Sequence, residues 1–250
     1  MYTLKKSLGQ HFLKDEGVID RIIAALMENP FSRLLEVGPG GGALTKKLIG
    51  IRGIDFKAVE LDDEKIEYLQ QRYPELRDKI IRGDILEIPK PFPEHFTIIG
   101  NFPYNISTQI MFRTIEWRDD IDTVVGMFQK EVAVRIAAGP NNKDYGILSV
   151  LVQAWFHVEY LFDVDPFCFN PPPKVVSGVI RLTNAGDPYQ ITHAKKFFLL
   201  VKTAFGQRRK QLRNPLKHLF PPDVLQDEIF TKRAENLSVG DYVELMKKMR

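Results

Sequence analysis

Apolar residues recur along this chain with two different periods, and the alternation of those periods predicts its architecture. From Gly17 to Glu28 the residues Val18, Ile19, Ile22, Ile23 and Leu26 return at helical spacing, so a helix is expected to pack one apolar face on a core. Short apolar runs then read as buried strands: Leu34 to Val37, Asp55 to Leu61, Ile80 to Asp84, Phe96 to Asn101 and Thr123 to Phe128. Helical patterns fall between the first of them, over residues 43–49 and 62–73, with Asp62 or Asp63 placed to cap the second. Strands alternating with helices predict an α/β fold, a parallel sheet with helices on both faces.

Ligands of such sheets sit beyond the carboxyl ends of the strands. Glu36 to Gly42, Glu60, Asp84 and Asn101 all fall at such ends, so four strands direct polar or flexible groups at one crevice. The run Gly38-Pro39-Gly40-Gly41-Gly42 lets the backbone adopt positive φ and lie against a ligand with no Cβ in the way. Its spacing differs from the dinucleotide fingerprint that carries a pyrophosphate on a helix N-terminus. Glu60, 22 positions after Gly38, can accept both hydroxyls of a ribose, and Asp84 can accept from an adenine amino group. Taken singly, the glycines are also compatible with a plain turn and Asp84 with an Asx turn or helix cap. Together they fit adenosine joined to an amino acid without phosphates, of which S-adenosylmethionine is an example.

A second decisive stretch is Asn101-Phe102-Pro103-Tyr104-Asn105-Ile106-Ser107. Pro103 restricts Phe102 to an extended backbone, so that the Phe102 carbonyl can turn outward beside the Asn101 side chain. Two acceptors then face one point. The exocyclic amine of a purine carries two protons and a lone pair delocalised into the ring. Holding both protons draws the nitrogen toward tetrahedral geometry and frees the lone pair for attack on a sulfonium methyl, by positioning and electrostatics. Tyr104 offers a flat face for the base. In isolation the same residues also describe an aromatic, proline-containing turn after a strand.

Composition narrows the setting. The 250 residues, 44% hydrophobic and 27% charged, suffice for one sizeable core and an accessory domain. No apolar run reaches the length of a membrane span and the N-terminal residues lack the apolar segment of a signal peptide, so a cytoplasmic location is expected, with no membrane partner. The single Cys168 excludes an internal disulfide, and the five histidines lack metal-ligand spacing, so no structural zinc is expected. The net charge of +3 hides an asymmetry: residues 1–180 hold 21 Lys/Arg and 25 Asp/Glu, whereas residues 181–250 hold 14 and 7. A polyanionic partner fits that basic final quarter, and so does a solvated helical surface. Turn formers over residues 183–191 place a linker there. Beyond it, Arg208, Arg209, Lys210 and Arg213 put four cations in six positions, with Leu212, Leu216 and Leu219 left to anchor a helix. Such a cluster is suited to phosphate contacts, which position an RNA without reading its sequence.

The ordered segments Ser7-Leu8-Gly9-Gln10-His11-Phe12-Leu13, Glu36-Val37-Gly38-Pro39-Gly40, Val59-Glu60-Leu61-Asp62, Gly83-Asp84, Asn101 to Thr108, Gln129-Lys130-Glu131-Val132, Tyr145 to Val150, Phe169 to Val175 and Phe205 to Lys210 resemble the motifs of the ribosomal RNA adenine dimethyltransferases. The likeness spans about residues 5 to 245 and is greatest to the bacterial small-subunit enzymes. It implies a Rossmann-like seven-stranded methyltransferase sheet with an antiparallel last strand over Val175 to Leu182. Residues 1–185 would form the catalytic domain, and 186–250 a small all-helical RNA-binding domain. It implies S-adenosylmethionine as methyl donor, held by His11, Leu13, Gly38, Gly40, Glu60, Leu61, Asp84, Ile85 and Asn101. His11 stands where Asn also occurs in the family, so its contact would come from a ring nitrogen or from its backbone. Asn101, Phe102, Pro103 and Tyr104 would carry the chemistry, Phe102 through its carbonyl in place of the more usual Leu. Phe169 matches an aromatic that would sandwich the target base opposite Tyr104, with Phe167 as a competitor and a core role as the alternative. The implied substrate is a pair of adjacent adenines near the 3′ end of small-subunit ribosomal RNA, each methylated twice in the immature subunit by a monomer. Three alternatives stay open: an assembly factor acting mainly by binding, a large-subunit resistance methyltransferase and a DNA adenine methyltransferase. Resemblance at the prolines and at Tyr145 to Val150 favours the small-subunit class.

Overall fold

The computed structural model describes residues 11–250, so the motif residues Ser7 to Gln10 lie outside the described part. The strands are β1 (Phe12–Leu13), β2 (Arg33–Val37), β3 (Asp55–Glu60), β4 (Ile80–Arg82), β5 (Phe96–Asn101), β6 (Ile121–Gln129), β7 (Phe156–Val164), β8 (Phe169–Asn170) and β9 (Ser177–Asn184). The α-helices are α1 (Glu16–Met27), α2 (Thr45–Leu48), α3 (Asp63–Arg72), α4 (Ser107–Glu116), α5 (Lys130–Ala137), α6 (Ile147–Gln153), α7 (Ala194–Gly206), α8 (Arg213–Leu216) and α9 (Val239–Lys247).

Seven strands form one sheet in the order β4-β3-β2-β5-β6-β9-β7. The five strands from β4 to β6 pair in parallel, and β9 runs antiparallel to β6 from Thr123↔Thr183 to Gln129↔Ser177. This is the α/β sheet that the alternation predicts. The chain moves outward from β2 through β3 to β4 and returns on the other side of β2 at β5, which makes the β2/β5 boundary the switch point where a ligand crevice opens. β1 and β8 make a separate antiparallel ribbon, Phe12↔Asn170 and Leu13↔Phe169.

Local chemistry explains the boundaries. Asp15 caps α1 by accepting from the Val18 amide, and the helix buries Val18, Ile19, Ile22, Ala25 and Leu26, while Ile23 is only half-buried. Of the two candidate caps for α3 it is Asp62 that serves, accepting from the Glu64 amide. β9 begins and ends two residues later than expected. Its pairing starts where Ser177 meets Gln129, and its end is held by Asn184, whose Nδ2 donates to the Arg118 and Ile121 carbonyls at 2.6 Å each. Thr183 and Asn184, expected in the linker, are therefore strand residues.

The described chain forms two compact units, one of residues up to Ala133 with Glu159–Asn184, the other of Val134–Val158 with Ala185–Arg250. Residues 134–158, placed by the sequence with the first domain, thus group with the C-terminal helices. Within that second unit Tyr145 meets Phe205 edge-on at 6.2 Å, Trp155 meets Phe197 at 5.8 Å, and the Asn141 amide donates to the Glu235 carbonyl at 2.8 Å.

Two features of the first unit govern the crevice. Gly100 on β5 pairs with Gly126 on β6, and the Phe102 ring lies over both: a Cβ at Gly126 would stand 2.5 Å from Phe102 Cε2, and one at Gly100 2.7 Å from Phe102 Cε1. Phe102 is 1% exposed and meets Phe128 edge-on at 5.0 Å. The second feature is Glu36 of β2, fully enclosed, whose carboxyl accepts from Thr45 Oγ1 at 2.7 Å. Burial, reinforced by the Glu60 carboxylate and only partly opposed by the Thr45 side-chain and backbone bonds, pushes its pKa up to about 8.

Gly126→Ala is expected to lower the unfolding free energy by about 1–3 kcal/mol through overpacking, with partial recovery when Phe102→Leu is added; an unshifted denaturant midpoint would show that the glycine notch is slack. Because folded Glu36 keeps a proton that the unfolded chain loses near 4.5, its contribution to stability should be full below that pH and be lost as pH rises toward about 8, by up to about 1.4 kcal/mol per pH unit. Glu36→Gln should remove that slope in denaturant titrations between pH 5 and 8, and parallel profiles for the two proteins would contradict a protonated Glu36.

Candidate active site

A cavity of about 550 Å³ opens at the carboxyl ends of β2, β3 and β4 and is lined by Gly38, Glu60, Leu61, Asp84, Ile85 and Pro103, among others. A smaller one of about 40 Å³ is bordered by Leu13, Glu36, Gly38, Gly40 and Asn101, so that Gly38 lies on both. Nearly all the residues expected around a cofactor therefore border one of two cavities that share a glycine. The loop between β2 and α2 turns with φ of 67° at Gly38, 57° at Gly40 and 82° at Gly42, as its composition requires.

Glu60 is 6% exposed and organises the loop ends. Its Oε2 accepts from the Gly40 amide at 3.2 Å, and its Oε1 from the Leu61 and Asp62 amides at 3.0 and 3.1 Å, with Lys65 Nζ at 3.8 Å. Asp84 Oδ1 accepts from the Leu86 amide at 2.9 Å, an Asx turn that orients the carboxylate at the cavity edge. Leu61, 60% exposed, supplies an apolar wall beside the two carboxylates. Size, paired acceptors and apolar wall suit an uncharged nucleoside, since the carboxylates would repel a phosphate.

Asn101 ends β5 at the switch point, and its Nδ2 donates to the His11 carbonyl at 3.3 Å. The donor end of the amide is thus tied to the N-terminal strand, and the acceptor end, Oδ1, remains for another partner. The Phe102 amide donates to the Met127 carbonyl at 3.1 Å, which anchors the backbone next to Asn101 while the ring fills the glycine notch. Tyr104 follows Pro103 in the same turn; its ring stacks on the His11 imidazole at 5.9 Å and 29°, and burial pushes its hydroxyl pKa up despite the bond to Ser177. His11 Nδ1 donates to the Pro171 carbonyl at 2.8 Å, so that ring nitrogen is already committed.

Two expected residues sit otherwise. Phe169 is 1% exposed, packed in the core with Leu13, Val164 and Val179, because its pairing with Leu13 turns the ring inward. As positioned it presents no face to a base, a correction in favour of the core alternative, whereas Phe167 is 80% exposed. In the second unit, Arg208 Nε meets Glu235 at 2.6 Å and its Nη2 donates to the Asn142 and Lys143 carbonyls, so this cation, half-exposed, also braces protein. Arg209, Lys210 and Arg213 are exposed, but on a turn and a one-turn helix rather than on the longer helix expected, because α7 stops at Gly206 and Gln211 forms a bridge with Arg233. Sequence reasoning passed over Ser177 and Glu36 as functional side chains. A lone serine at a strand start carries no signal, and a carboxyl in an apolar run was read only as a strand-end group. Among the described residues no cluster of His, Cys, Asp and Glu could hold a metal, and no helix is long and apolar enough to cross a membrane.

Comparison with known proteins identifies the family. The family model described as ribosomal RNA adenine dimethylase matches residues 1–250. The ribosomal RNA small subunit methyltransferase A of Flavobacterium johnsoniae is 50% identical over 249 residues, covering 98% of this chain and 95% of that protein. Its Porphyromonas gingivalis counterpart is 48% identical over 247 residues, covering 96% and 95%. The crystal structure of a dimethyladenosine transferase from Plasmodium falciparum superposes with a TM-score of 0.81 at 26% identity, covering 96% of this chain and 99% of that one. The 23S rRNA methyltransferase ErmE shares the fold, with a TM-score of 0.74 at 23% identity over 95% and 99% of the two chains. With its whole length matched by the family model and half its residues identical to a curated member, this chain belongs to the ribosomal RNA adenine dimethylase family.

Proposed function

We propose that this protein transfers methyl groups from S-adenosylmethionine to the exocyclic amines of two adjacent adenines near the 3′ end of small-subunit ribosomal RNA, giving dimethyladenosines. It acts as a monomer in the cytoplasm, on the immature small subunit. The observation that carries this reading is the tethered amide of Asn101: with Nδ2 donated to the His11 carbonyl, Oδ1 is the acceptor left at the cavity border.

The cofactor supplies a methyl group on a positively charged sulfur. Glu60 and Asp84 would provide acceptors for the hydroxyl and amino groups of its nucleoside, Leu61 and Ile85 would flank the base, and Gly38 would leave room for the methionine end beside Leu13 and Gly40, whereas His11 borders neither cavity. Asn101 Oδ1 and the Phe102 carbonyl hold the two protons of the target amine, Pro103 keeps the Phe102 carbonyl turned outward, and Tyr104 stacks on the base. With the cofactor bound, the amine nitrogen would take the methyl group as the sulfonium leaves as a neutral thioether, and the extra proton would pass afterwards to water, so that these residues need supply no general base beforehand. A target adenine must leave its stack to reach the Asn101 turn. Phe167, 80% exposed, rather than the buried Phe169 is the aromatic of this segment open to the RNA. In the second unit Arg209, Lys210 and Arg213 contact phosphates and position the substrate, whereas Arg208 serves that unit's packing.

Mapping of methylated adenines after incubation with immature small subunits should show two adjacent dimethyladenosines. Asn101→Ala should slow single-turnover methylation about a hundredfold or more at saturating cofactor, with little change in RNA affinity and a shifted ratio of monomethyl to dimethyl product; near-normal rates and ratios would sink the two-acceptor mechanism. Replacing Arg209, Lys210 and Arg213 together by Gln should flatten the slope of log affinity against log salt by roughly two to three units. A slope that does not change would place these cations on a solvated face.

A further inference from the structure

Tyr104 is held from three directions. Its backbone carbonyl accepts from Ser107 Oγ at 3.1 Å, one ring face meets His11, and its hydroxyl lies 2.5 Å from Ser177 Oγ. Ser177 is fully buried, opens β9 and is paired with Gln129 of β6; next to it the Lys130 amide donates to the Val176 carbonyl at 2.9 Å. The serine backbone is therefore fixed by the sheet itself, at the join between the last parallel strand and the antiparallel one, and its oxygen can turn only about one torsion. A tyrosine side chain turns about two torsions: anchoring its hydroxyl fixes the direction of the ring, while rotation about the axis through Cβ and Oη is limited by the preference of a phenolic O–H for the ring plane and by the His11 ring on one face. Burial raises the Tyr104 pKa, so the hydroxyl is neutral at physiological pH and the contact is a hydrogen bond between two hydroxyls.

We propose that Ser177 is a positioning residue for methyl transfer: through its hydrogen bond to the Tyr104 hydroxyl it holds in place, together with the His11 stack, the ring on which the target adenine stacks. The inference rests on the reading of Tyr104 as the base-stacking residue. Ser177 contacts neither base nor cofactor and acts only through Tyr104. It also gives the antiparallel β9 a part in the chemistry, since β9 places at the end of β6 an oxygen that the parallel strands do not supply.

The test is a double-mutant cycle in the full chain with Ser177→Ala and Tyr104→Phe, with Tyr104→Ala as a reference. Single-turnover methylation is read at saturating S-adenosylmethionine, and base stacking by the fluorescence quench of small-subunit RNA bearing 2-aminopurine at a target position. Ser177→Ala should slow methylation about three- to tenfold, the effect of one lost hydrogen bond, and weaken the quench, with cofactor affinity unchanged. Tyr104→Phe should do the same, and the double variant should be no worse than either single one. The inference is overturned if Ser177→Ala leaves rate and quench intact while Tyr104→Ala abolishes both, a result that keeps the stacking role of Tyr104. It is equally overturned if the Ser177→Ala defect persists in the Tyr104→Phe background, as general destabilisation would produce. If Tyr104→Ala itself changes neither readout, the stacking role falls and the role of Ser177 falls with it.

Discussion

The close approach of β5 and β6 at Gly100 and Gly126 is the constraint on which the rest of the site depends. Two facing glycines leave a notch in the sheet surface that an aromatic ring fills, and the ring belongs to the residue immediately after Asn101. Once Phe102 is seated there and its amide is bonded to Met127, the direction in which the chain leaves β5 is settled. Pro103 then adds a fixed φ and Tyr104 is carried to Ser177. A turn that in another setting would be an exposed loop is thereby held from below by core packing. Pre-organised acceptors require this, since their advantage is lost if they must first find their geometry.

Glu60 performs the corresponding task on the other side of the crevice. By accepting amides from Gly40, Leu61 and Asp62 it joins the glycine loop after β2 to the start of α3, and Asp62 in turn caps that helix. Three N–H groups and Lys65 surround the Glu60 carboxyl, whereas Glu36, in the same unit but with only Thr45 as a donor, is driven by burial toward the protonated form. Two glutamates at the ends of adjacent strands thus play opposite parts. Glu60 lines the cavity wall as an acceptor of backbone amides, and the proton on Glu36 spares the core an unneutralised charge.

Much of this was legible in the sequence because the signals were local. The alternation of apolar runs with helical patterns located every parallel strand to within about two residues, and the polar groups at their ends are those that border the cavities. What escaped was non-local. Nothing at residues 134–158 distinguishes helices that cover a sheet from helices that join a C-terminal unit, because the deciding partners, Phe197, Phe205 and Glu235, lie some 40 to 100 positions away. Arg208 looked like its neighbours in a basic run until Glu235 was brought beside it. Phe167 and Phe169 have equal aromatic character, and only the pairing of β8 with β1 decides which ring turns inward.

The unequal mobility of the two acceptors bears on how one site can make a dimethylated product. After a first transfer the target nitrogen has one proton left and a methyl where the other proton was, so one acceptor must keep its bond while the other gives way. The Phe102 carbonyl cannot give way: its residue is fixed by the notch, by the bond to Met127 and by the following proline. The Asn101 amide is held through a single 3.3 Å bond to the His11 carbonyl and can rotate about its terminal torsion. Under the proposed chemistry, the backbone carbonyl retains the remaining proton at the second transfer and the asparagine side chain moves aside for the methyl group.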